Sequence, residues 1–148
     1  MDDRDGPHTR AAEGLIGRRD ELATVGAFLD RARSGGAALL IFGEPGAGKT
    51  VLLDAAAEMA LVAGIQVLRA AGVEFEAEMS FAGLHQALLP LHGEFTGLSR
   101  PHREALNVAL GFGTGQAPDR MLVSSAALTV VRRAAAARPV LLAVDDLP

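Results

Sequence analysis

"GEPGAGKT", Gly43–Thr50, is the stretch that decides the fold. It contains Lys49, the single lysine among 14 basic residues; the other thirteen are arginines. The octet has the form G-x-x-x-x-G-K-[ST]. Before it, "AALLIF" (37–42) is an apolar run with no polar alternation, which predicts a strand covered on both faces. After it, Leu52, Ala56, Met59 and Ala63 recur at helical spacing over 49–63, with Gly64 placed to cap the end. A glycine loop between a buried strand and a helix is the setting of a phosphate-binding loop. The glycines let successive N–H groups curl around an anion, and the helix adds the positive end of its dipole. Lys49 is placed to reach the β- and γ-phosphates, and Thr50 to offer its hydroxyl to Mg²⁺. A guanidinium is a broad planar fork and is a poor substitute for an ammonium in that ring of amides, which explains a lysine in a chain that otherwise uses arginine. Gly43, Glu44, Pro45, Gly46, Ala47, Gly48, Lys49, Thr50 and Val51 are therefore the candidate ATP-binding residues, with Lys49 also the candidate catalytic cation. The bland alternative is a glycine-rich turn that matches by chance, and the flanking strand and helix weigh against it.

A second signal lies at the far end. "VLLAV" (140–144) predicts another apolar strand, and it runs into Asp145 and Asp146. An acidic residue at the end of such a strand holds Mg²⁺ beside the loop threonine in phosphate-loop proteins. Asp145 is the candidate metal ligand together with Thr50. Asp146 is the candidate for orienting or deprotonating an attacking water, which would make hydrolysis available. Taken alone, two aspartates after a strand are an ordinary turn.

Between these signals the chain alternates strand and helix. Leu22, Val25, Leu29 and Ala32 mark a helix over 19–33, opened by Asp20 and Glu21 and closed by Arg31 and Arg33 in the order the helix dipole favours. "IQVLRA" (65–70) predicts a strand. Helices are predicted over 80–91 with Ser80 as N-cap, over 100–110 with Pro101 in the first turn, and over 120–137, where Pro139 ends the run. No internal repeat is visible. The class is α/β with a parallel sheet.

Composition narrows the function. A 148-residue chain suffices for one core. Aromatics are only 4%, with no Trp or Tyr, which argues against a face built on stacked rings. No cysteine means no disulfide frame and no thiolate metal site, so a reducing cytoplasm is the expected compartment. A net charge of −4 gives no reason to expect direct nucleic-acid contact, and no apolar run reaches membrane-spanning length. Residues 1–13, polar and acidic, read as a flexible lead-in rather than a signal peptide. Gly111, Gly113 and Gly115 resemble part of a dinucleotide fingerprint but follow a helix, where a cap and loop are expected. His8, His85, His92 and His102 lack ligand spacing, and Glu74, Glu76 and Glu78 read as a half-exposed edge.

With these residues in place, the chain resembles the start of an ATPase domain of the signal-transducing (STAND, AAA-like) class. More narrowly it is similar to the large ATP-binding transcriptional regulators of the LuxR type. "LIGRRDEL" (15–22) resembles that family's opening box, whose hydrophobic and arginine residues lie near adenine; here these would be Ile16 and Arg18. "LLIFGEPGAGKTVLLDAAAEMA" resembles its phosphate loop and following helix, "VLRAAGVEFEAEMSFAGLHQALLPL" the next strand and helix, and "PDRMLVSSAALTVVRRAAAARPVLLAVDDLP" the approach to the magnesium-binding strand. The likeness covers about 14–148 and implies a P-loop NTPase three-layer sandwich that uses ATP and Mg²⁺.

The resemblance implies a domain that continues with further strands, a sensor residue and a helical lid, followed by a C-terminal DNA-binding domain, and self-association as a possible partner interaction. One of those later strands lies between the loop strand and the aspartate strand. The expectation is thus an incomplete P-loop ATPase domain over 14–148, ending after the aspartate (Walker B) strand, with two strands facing a gap. The function it implies is an ATP-binding, and through Asp146 ATP-hydrolysing, module of a signal-responsive regulator. A small P-loop kinase acting on a metabolite, or a remnant that binds no nucleotide, are the alternatives.

Overall fold

A computed structural model describes residues 17–72 and 81–145, in two compact units divided after Gly64. Each unit has its own elements.

The first unit holds two helices, α1 (Arg19–Ser34) and α2 (Lys49–Val62), with the octet leading into the second. Asp20 and Glu21 lie in the first turn of α1 and Arg31 and Arg33 in its last, so side-chain charge opposes the dipole at both ends. Val25, Phe28 and Leu29 are its buried residues. Leu52, Ala55, Ala56, Ala57 and Ala60 are those of α2, where alanine keeps the buried surface narrow. The helices meet at Gly26, where an added Cβ would lie 3.5 Å from the terminal methyl of Met59. Arg33 donates to the Ala63 carbonyl at 2.8 Å and so closes the C-terminal end of α2. Gly64 follows in the left-handed region (φ +76), with its N–H on the Leu61 carbonyl at 3.0 Å. The expected helix and its glycine cap are both present.

The expected strand over 37–42 is not. No ladder includes it among the described residues, and Leu40 and Phe42 are exposed, at 61% and 83%. The physical reason is that a strand has no hydrogen bonds of its own. An apolar run specifies what a strand would bury, whereas a ladder needs a second segment in register.

The second unit is mixed α/β. β1 (Gln66–Ala71) and β2 (Val140–Asp145) form a two-stranded parallel sheet, in register from Gln66 opposite Val140 to Ala71 opposite Asp145. Between them come α3 (Ala82–Leu88), a 3₁₀ segment (Leu89–Gly97), α4 (Arg100–Ala109) and α5 (Arg120–Ala137). Parallel pairing of strands joined by a long helical crossover is the α/β arrangement expected from the sequence.

The helix expected over 80–91 is shorter. Pro90 has no N–H for the Gln86 carbonyl and its ring crowds that turn, so the chain tightens to 3₁₀ from Leu89. Ser80 lies outside the described residues; the N-cap position is Phe81, whose φ of +74 is unusual for a non-glycine residue.

One apolar core joins these pieces. Val123, Ala126, Ala127, Val130 and Ala134 form one face of α5 and meet Leu106 and Leu110 from the α4 region, Leu68 of β1, and Leu88, Leu91 and Phe95. Asp119 caps α5 by accepting from the Leu122 N–H at 3.0 Å. His102 bridges α4 and α5 through the hydroxyls of Ser99 (2.9 Å) and Ser125 (3.2 Å). Gln86 of α3 accepts the Ala71 N–H at 2.9 Å, at the C-terminal end of β1.

Candidate functional site

The octet is a preformed loop. Ala47 N–H donates to the Glu44 carbonyl at 3.0 Å, closing a turn over 44–47. Gly46 and Gly48 both take left-handed backbone, at φ +78 and +77, which only glycine adopts without strain. The turn folds 43 back onto 47, since a Cβ added to Gly43 would sit 3.2 Å from that of Ala47. α2 then begins at Lys49, and its first backbone bond runs from Leu52 N–H to the Gly48 carbonyl at 3.1 Å. The amides of Gly48, Lys49, Thr50 and Val51 precede that bond and have no acceptor within the helix.

Two cations brace the carbonyl side of this loop. Lys49 donates from Nζ to the carbonyls of Gly43 (3.0 Å) and Glu44 (3.1 Å). An ammonium has three donors, so two hold it across the loop and the third is left for a ligand. Arg18 donates to the Ala47 carbonyl and, from Nη1, to that of Gly48 at 3.3 Å. Glu44 is the one acid of the octet, and the mouth carries the Lys49 ammonium and the helix-start amides. That donor set suits phosphate oxygens and is unsuited to a cationic or apolar ligand. Val51 is partly exposed in the first turn of α2.

Asp145 is the last residue of β2, opposite Ala71, and its carbonyl accepts the Gly72 N–H at 3.1 Å. It stands, as the sequence predicts, at the C-terminal end of an apolar parallel strand. Ile16 and Asp146 lie outside the described residues, as do Glu74, Glu76 and Glu78. His85, which showed no ligand pattern, donates from Nδ1 to the Leu110 carbonyl at 2.7 Å and stacks on Phe112, with ring centroids 5.1 Å apart. Gly111 (φ +78) closes α4, and the Phe112 and Gly113 amides turn back to the Asn107 carbonyl, so this glycine loop serves as a helix cap.

The sequence brought together Lys49 and the loop glycines. It did not reveal that Arg18 reaches the same loop: the two are thirty residues apart, and no local pattern links them. Among the described residues no helix is long and apolar enough to cross a membrane.

Comparison with known families finds a match to the AAA ATPase domain over residues 14–147. No curated protein matches the chain, and no solved structure does.

Proposed function

The chain belongs to the AAA ATPase domain family, and from that premise we propose that it is the ATP-binding module of a signal-responsive transcriptional regulator of the LuxR type. The observation that carries the nucleotide reading is the braced loop. Its two left-handed glycines, four helix-start amides and the Lys49 ammonium form a site for polyphosphate. The regulatory reading rests on the stretches that resemble that class, above all "SFAGLHQALLPL" (80–91).

In this reading the amides of Gly48, Lys49, Thr50 and Val51 hold phosphate oxygens, and Lys49 neutralises charge on the β- and γ-phosphates with its remaining donor. Thr50 is proposed as the Mg²⁺ ligand of the loop, where a bound ion would draw charge from the phosphoryl oxygens, and Asp145 is proposed as an acidic metal ligand at the end of β2. Asp146 is the residue proposed to orient the attacking water. Ile16 and Arg18 belong to the segment that the family likeness sets near the base. DNA binding is assigned to a separate domain of the regulator, and the compartment is the cytoplasm.

Calorimetric titration with ATP·Mg²⁺ tests this. Saturable binding is expected, weakened at least about tenfold by Lys49→Ala, the worth of one charge-assisted contact. Absence of saturable binding by the unaltered chain would overturn the reading.

A further inference from the structure

We infer that Arg18 is a positioning residue of the phosphate loop, acting through the peptide groups that precede Gly48 and Lys49. This inference rests on the nucleotide reading above for its purpose but not for its geometry. Arg18 lies just ahead of α1, and its guanidinium donates to two successive carbonyls, those of Ala47 and Gly48.

A trans peptide is planar, so the C=O of one residue and the N–H of the next point in opposite directions. Holding the Ala47 carbonyl on the Arg18 side therefore turns the Gly48 N–H to the other side. Holding the Gly48 carbonyl does the same for the Lys49 N–H. These two amides open the anion-binding turn. Arg18 fixes the direction of both from outside the site.

Glycine at 48 has a second reason here besides its φ. A Cβ at Gly48 would stand 2.8 Å from Nη2 of Arg18 and 3.3 Å from Cζ, so the guanidinium lies where any side chain would be. Lys49 braces the other half of the loop through Gly43 and Glu44. Four of the loop's carbonyls are thus tied by two cations; without Arg18 the Ala47 carbonyl would lose its tie and that of Gly48 would keep only the Leu52 N–H.

The role differs from an adenine contact in what it predicts for ligands. A residue that aims phosphate-binding amides serves every polyphosphate alike. A residue that touches the base discriminates between bases. The test compares Arg18→Gln and Arg18→Lys with the unaltered chain, with far-UV circular dichroism to establish folding. The ligands are ATP, GTP and inorganic tripolyphosphate, each with Mg²⁺, and backbone amide resonances are recorded without ligand. Arg18→Gln should weaken all three ligands by the same factor, roughly tenfold. Arg18→Lys, which keeps the charge but not the fork, should fall between. Without ligand, the Gly48 and Lys49 amide resonances should shift in Arg18→Gln.

Loss confined to ATP, with tripolyphosphate unaffected, would overturn the inference in favour of a base contact. Unchanged Gly48 and Lys49 resonances would overturn it regardless of ligand. If the unaltered chain binds none of the three ligands while those resonances still move, the bracing stands and the nucleotide reading fails. Should Arg18→Gln not fold, the Arg18→Lys resonances and affinities decide by the same criteria.

Discussion

Gly48→Ala separates two effects that converge on one atom. The first is backbone strain: alanine at φ +77, ψ 32 costs about 1 kcal/mol or somewhat more. The second is displacement of Arg18. The new Cβ would meet Nη2 at 2.8 Å, closer than real Cβ contacts come. A guanidinium at the end of a flexible side chain moves away cheaply, so the repulsion itself is small. What is lost is its pair of bonds to the Ala47 and Gly48 carbonyls. Both lie near the surface, where solvent screening brings the pair down to about 1 kcal/mol, below the usual range for charged donors. Gly48→Ala should therefore cost about 2–3 kcal/mol. Gly46→Ala is the internal control: φ is nearly the same, +78, and nothing lies within 4 Å of the added Cβ, so strain alone remains. Amide hydrogen exchange at Leu52 is the assay, since its N–H donates to the Gly48 carbonyl and reports opening of the loop with the first turn of α2. Exchange should quicken about fivefold to tenfold in Gly46→Ala and on the order of fiftyfold in Gly48→Ala. In the Arg18→Gln background the two substitutions should become equivalent, a coupling of about 1 kcal/mol. Equal effects in the native background would refute the argument, because the guanidinium would then not be braced against residue 48.

Leu106→Ala should destabilise the second unit by about 2–5 kcal/mol, since Leu106 is fully buried at the centre of the core shared by α4, α5 and β1. Urea unfolding followed by circular dichroism checks it, with half-exposed Leu128→Ala as the control that should stay within about 0.5 kcal/mol. Phe42→Ser should cost less than about 0.5 kcal/mol in the same assay, because that ring is 83% exposed. A loss above about 2 kcal/mol would show that 37–42 is buried after all.

What could be read in advance was whatever depended on neighbours in the chain. The helix over 49–62 and its Gly64 cap follow from 3.6-residue spacing and a glycine at the right offset, both local properties. β1 and β2 were placed within a residue because each short apolar run is bounded by a breaker, Gly64 before one and Pro139 before the other. The loop was legible for the same reason: its chemistry is compressed into eight consecutive residues. Where the reading failed, the missing information was a partner. The run over 37–42 has the composition of a buried strand, but ladder hydrogen bonds belong to pairs of segments, and no periodicity names the second member. The helix expected through Leu91 failed for a smaller cause that was visible, since Pro90 removes a donor four residues after Gln86.

Arg18 shows the same division from the other side. Its neighbours mark it as the start of a helix, and the likeness to a family box sets it near a base. The contact that defines it in the structure is with carbonyls thirty residues away. An arginine was needed there for the reason that a lysine was needed at 49. Two adjacent carbonyls are met by a fork, whereas the two carbonyls of Gly43 and Glu44, with one donor left over for the proposed phosphate, are met by a compact ammonium. The lone lysine in a chain of arginines and the arginine that braces the other half of its loop are thus complementary choices, and exchanging the two side chains, Arg18→Lys with Lys49→Arg, should impair the loop more than Arg18→Lys alone.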